Sequence, residues 1–171
     1  NGDYTQTEAG VPLRQSSDGD TEIKLGETFI EKLDTRALQL YEGDVTHEGR
    51  WGNSIRFGST SNDGIPTNTW SEEGEDGDPI TIIRNGQHEE LTDPWIPQVE
   101  DINEDKSNIY LTSTQKIPIN AINTKYSSYD NEPIIPNEYV DSQVILNSNR
   151  LIFNSRTDSI LLSAEKSIFL G

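Results

Sequence analysis

Residues 143–171 read QVILNSNRLIFNSRTDSILLSAEKSIFLG, and the apolar triplets in that run decide what fold the chain can adopt. Four triplets recur: Val144-Ile145-Leu146, Leu151-Ile152-Phe153, Ile160-Leu161-Leu162 and Ile168-Phe169-Leu170, their starts 7, 9 and 8 residues apart. Small polar connectors follow, Asn147-Ser148, Asn154-Ser155 and Ser163-Ala164, so this is a short internal repeat. Successive side chains of a strand point to opposite faces, so each triplet is apolar on both sides. A lone meander leaves one of those faces wet, and so short a run falls below the size at which a chain buries its own core. Burial on both sides becomes possible when identical chains wind about one axis. The expectation is an intertwined, triple-stranded β-helix whose trimer core is Val144, Leu146, Leu151, Phe153, Ile160, Leu162, Ile168 and Leu170. The competing reading is an ordinary meander packed on the domain upstream. A buried helix fits less well, because Asn, Ser, Thr and β-branched residues dominate the run.

Upstream, YEGDVTHEGRWGNSIRFGS (41–59) alternates through Tyr41, Val45, His47, Ile55 and Phe57, with Trp51-Gly52-Asn53 as the turn between two strands. Repeated Gly inside strands suggests the bulges and corners of a small closed barrel. Ser59 to Asp78 reads as a long polar loop. PITIIRNGQ (79–87) reads as a buried strand through Ile80, Ile82 and Ile83, and Asn85-Gly86 is a strong turn signal. Trp95-Ile96-Pro97 anchors the return, Asn103 to Ser107 turns, and NIYLTSTQKIPI (108–119) supplies a further strand with Ile109, Leu111 and Ser113 on one face. Short strands with Gly-marked corners suggest an OB-like barrel over residues 41–119. Residues 120–143, with Pro133 and Pro136, read as a linker, and 144–171 as the β-helix entry. Residues 1–40 read as an extended polar arm, Thr28 to Leu40 being the one plausible helix. The fold class expected is therefore all-β.

Composition narrows the function. Only 31% of the 171 residues are apolar, which limits any compact core. No run approaches a membrane span, and without Cys there are neither disulfides nor thiolate metal sites. Rigidity must then come from assembly. The net charge is −17, and twelve acids lie between Trp70 and Asp105 against the single base Arg84. A nucleic-acid binder needs a basic stripe, and none exists here. The acidic block reads as a solvated loop surface or, alternatively, as a docking face for a basic partner. Because Asn1 stands where Met would, the chain reads as a piece of a longer one.

The phrases EGDVTHEGRWGNSIRFGST, NTWSEEGEDGDPITIIRNGQ and DINEDKSNIYLTSTQKIPI, spanning about Tyr41 to Ile119, resemble the hub and central-spike proteins of contractile-tail phage baseplates. The VgrG spikes of bacterial secretion systems look like more distant relatives, and the closing run resembles the entry into the spike's β-helix. The resemblance implies an OB barrel seated on other baseplate hub and tail-tube proteins. It also implies a homotrimeric needle aimed at the host cell envelope, and a place in the virion. The linker is too short for the lysozyme domain that the best-known members carry, so no peptidoglycan-cutting activity is carried over.

No catalytic constellation accompanies this pattern, and neither a cofactor nor a metal is expected. His47 and His88 lack metal-ligand spacing, EEGEDGDP fails the calcium-loop frame, and no nucleophile elbow, P-loop or dinucleotide fingerprint is present. His47 beside Glu48 suggests acid–base work at most weakly. Two other functions remain open. One is a carbohydrate-binding or hydrolysing tail-spike domain using Trp51, Trp70 and Trp95, or a patch of Arg50, Trp51 and Arg56. The other is an adaptor that docks proteins through the acidic loop.

Overall fold

The computed structural model describes residues 35–61, 68, 70, 74–88, 96–123 and 132–169. Within them the protein is all-β. Its elements are β1 (Val45–Glu48), β2 (Asn53–Ser59), β3 (Pro79–Asn85), β4 (Ser107–Leu111) and β5 (Val144–Ser148), with one 3-10 turn at Pro136–Glu138. They form one antiparallel sheet in the order β1-β2-β3-β4-β5. The sheet is open, with β1 and β5 at its edges, so the closed OB-like barrel expected over 41–119 is not what the hydrogen bonding describes. The helix expected over 28–40 lies outside the described residues up to 34, and residues 35–40 are non-helical, Leu38 forming a parallel bridge with Gln98.

The strands lie close to where alternation and turn residues placed them. β1 and β2 pair with Val45 opposite Phe57 and His47 opposite Ile55, and the corner between them needs Gly52 at φ +84°. A side chain there is strained, and its Cβ would also press against Gln87 Cγ at 3.2 Å. Gly86 (φ +82°) follows β3, but the chain continues to residue 106 before β4 begins, so this turn does not close a two-residue hairpin. The first apolar triplet is β5, paired along its length with β4. The sheet therefore runs past residue 143, where the linker was expected to end.

One face of the sheet is the inner face. Ile80, Ile82 and Tyr110 point into it and are buried with Tyr41, Trp70, Ile102 and Ile117, while Ile145 of β5 packs against that cluster. Trp70 belongs to the span read as a polar loop, yet it is 2% exposed. It meets Tyr41 edge-on at 5.4 Å.

Two further inward positions hold charge, Arg56 on β2 and Arg84 on β3. Arg56, at 0% exposure, donates from Nε to Glu100 Oε1 at 2.8 Å, from Nη1 to Asp44 and from Nη2 to the Gln39 carbonyl at 2.8 Å. Its guanidinium also sits 5.0 Å from the Trp70 ring centroid and 5.6 Å from that of Tyr41. Burial acts to lower its pKa, but the bonds to Glu100 and Asp44 outweigh it and the net shift is upward. Asp44, Arg56 and Glu100 thus tie the approach to β1, the middle of β2 and the 98–102 segment into one pin.

Removing the cation alone leaves two buried carboxylates facing each other. Arg56→Ala should therefore destabilise the fold by about 3–5 kcal/mol in urea unfolding. Replacing Asp44, Arg56 and Glu100 together with Asn, Leu and Gln should cost less than Arg56→Ala, because no buried charge is then left unpaired.

Candidate functional site

After β5 the chain leaves the sheet and runs on without regular secondary structure, with bends at 156–158 and 165–166. Among the described residues 149–168 none belongs to a strand, and no main-chain hydrogen bond joins them to another segment. The apolar residues of this run are open to solvent: Leu151, Ile152, Phe153, Ile160, Leu161, Leu162 and Ile168 are all at least half exposed, reaching 89% at Leu161. Of the expected trimer-core set, Val144 and Leu146 lie on the outer face of β5, Leu151, Phe153, Ile160, Leu162 and Ile168 are exposed along the tail, and Leu170 lies outside the described residues. Within the single chain they form no common core. Each bare triplet forfeits about 1.5–3 kcal/mol per large side chain relative to full burial. Among the described residues nothing covers these apolar side chains.

The outer face of the sheet has the same character. One row across the five strands reads Val45, Phe57, Thr81, Leu111, Val144, and the next reads His47, Ile55, Ile83, Ile109, Leu146. Phe57 is 51% and Val144 68% exposed. Ile83, expected to be buried, points outward here. The alternation that marked Ile55/Phe57 and Ile109/Leu111 was a sound strand signal, but it marks the outward face. The inward positions between them hold Arg56 and Tyr110.

The groups considered for chemistry are dispersed. His47 faces outward, while the carboxylate of Glu48 accepts the Leu38 N–H at 2.9 Å, so the two do not work as a pair. His88 Nδ1 lies 3.2 Å from Gln98 Nε2. Trp70 and Arg56 are buried and offer no face to a sugar; Trp51 is 43% exposed, and Trp95 lies outside the described residues. Among the described residues no three His, Asp or Glu side chains are placed to share a metal ion. No family model matches this chain, and no match to it is found among curated proteins or solved structures.

The acidic block is not a uniformly solvated surface. Glu100 is buried against Arg56, and Asp105 is buried 3.7 Å from Arg84 Nη1. Asp105 also accepts the Asp101 N–H at 3.0 Å, and Asp101 in turn caps the N–H groups of Asn103 and Glu104. What could have revealed these roles is arithmetic: Arg56 and Arg84 stand at inward strand positions and require acids.

Burial raises the Asp105 pKa from 3.8 to about 6, with Arg84 offsetting only part of the effect. Between those values the folded protein holds more protons than the unfolded chain, so this group's contribution to stability falls as pH rises from about 4 to 6. Asp105→Asn should abolish that decline. Compared with the native chain, the variant should gain on the order of 2 kcal/mol on going from pH 4 to pH 7, read from urea midpoints at the two pH values.

Proposed function

We propose that this chain is a non-catalytic structural segment of a contractile-tail phage baseplate hub and central spike. In this reading an OB-like β-domain leads into a homotrimeric, triple-stranded β-helix that helps to puncture the host cell envelope. The observation that carries it is the tail: residues 149–168 belong to no strand, and their apolar side chains are left exposed by the described residues of their own chain. A braid of identical strands supplies both missing things, apolar contact on each side and partners for the main-chain groups. The β-domain half of the proposal rests on the four short antiparallel strands within residues 41–119, which form part of an open sheet, on the glycine at the β1–β2 corner and on the resemblance of residues 41–119. Its neighbours would be other hub and tail-tube proteins, its place the virion, and its work mechanical: axial stiffness from interchain strand pairing.

The test is solution mass. Light scattering on the full chain at micromolar concentration should give three times the 19.2 kDa of one chain, and the species should resist dissociation in mild detergent. Leu151→Asp combined with Leu162→Asp should shift it toward monomer, because each charge would lie in a desolvated prism. A native chain of monomer mass would sink the proposal.

A further inference from the structure

We infer that the outer face of the five-stranded sheet is itself a subunit interface, covered by a second copy of this chain, so that the apolar core of the assembly does not stop at the tail but spreads under the sheet. The inference rests on the trimeric reading above and deepens it.

Three observations converge. The first is composition. The outer face comprises the two rows already described and a flanking row of Asn53, Asn85, Ser107 and Ser148; Pro79 and Ser59 complete it. Among the described residues no Asp, Glu, Lys or Arg projects from it, in a chain whose residues are 25% charged. With strands about 4.8 Å apart, the apolar rows run roughly 19 Å across the sheet. So broad an uncharged and exposed surface is what an interface requires and what a free surface avoids.

The second is charge. Each copy carries a net −17, so two copies repel wherever carboxylates meet. The outer face is a surface through which they can approach without opposing acids. A basic partner would be matched by the acidic surface instead.

The third is chain path. β5 belongs to this face through Val144 and Leu146, and the tail begins directly after Ser148. From Leu146 to Leu151 the backbone can extend at most about 17 Å. If tails of neighbouring copies wind about one axis, the β5 edge of every copy is held beside that axis, and the face that β5 shares with β4 and β3 must confront the adjacent copy.

The absence of native Cys makes the test direct. Ile83→Cys places a thiol at the centre of the face, and Glu104→Cys places a control thiol on an exposed turn. In the full-length assembly, Ile83→Cys should react with a maleimide at least tenfold more slowly than the control. A short bismaleimide should then link Ile83→Cys chains to one another on a denaturing gel. Labelling as fast as the control, in a species of trimer mass, would overturn the inference and leave the trimer standing. Protection without interchain links would also overturn it, since the cover would then be something other than a second copy. A monomeric native chain would remove both the inference and the reading beneath it.

Discussion

A β-strand has two faces, and a small chain has material enough to cover only one of them. That constraint organises this protein. The inner face of the sheet is closed by Tyr41, Trp70, Ile102 and Ile117. Among the described residues nothing comparable lies over Val45, Phe57, Ile83 or Leu111. At β5 the constraint becomes visible residue by residue: Ile145 turns inward to the core, while Val144 and Leu146, its immediate neighbours, turn outward to solvent. Beyond Ser148 the inner support ends and both faces are bare. The same alternation of side chains that permits a sheet thus produces, within one segment, a half-satisfied strand followed by an unsatisfied one.

The inner face has an unusual filling for so small a core. Arg56 and Arg84 occupy inward positions on β2 and β3 where aliphatic residues are the ordinary choice, and each is matched by acids from segments far along the chain. Burying such pairs adds little net stability, since desolvation consumes most of the attraction. What they do add is discrimination between arrangements. A one-residue slip of β2 would expose Arg56 and bury Ile55 and Phe57, leaving Asp44 and Glu100 buried without a cation. An apolar outer face makes that slip a real hazard, because an all-aliphatic strand would be nearly as content either way round. The buried charges make the two faces chemically unlike.

This also explains what could be read from the sequence and what could not. Strand positions were legible, since alternation in residues 45–57 and 107–111 and the turn glycines at 52 and 86 act locally. Which face points inward was not, because a period of two is the same seen from either side. Hydrophobicity argues for burying Ile55, Phe57 and Ile83, and in the single chain that argument fails against the ion pairs. The acids Glu100 and Asp105 were read as part of a solvated loop surface for a related reason: their partners lie 44 and 21 residues away, and pairing over such separations is invisible to a local pattern. Trp70 was hidden in the same manner, as a lone aromatic in a polar stretch whose role depends on Arg56 and Tyr41.

A spike that transmits force needs its stiff part joined to its anchor without a flexible hinge. If this chain is the proposed spike segment, that joint is β5. It is pinned on one side by its ladder to β4, by the bond from Asn147 Nδ2 to the Ile102 carbonyl and by Ser107 and Ser148, whose hydroxyls lie 3.0 Å apart. On the other side it runs straight into the tail. Load placed on an ordered tail would therefore enter a hydrogen-bonded sheet directly. Were the outer faces of neighbouring copies also in contact, three such joints would be braced against one another at the level where the needle begins. Apolar exposure that looks costly in the isolated chain then becomes the means by which tail and sheet behave as one rigid body.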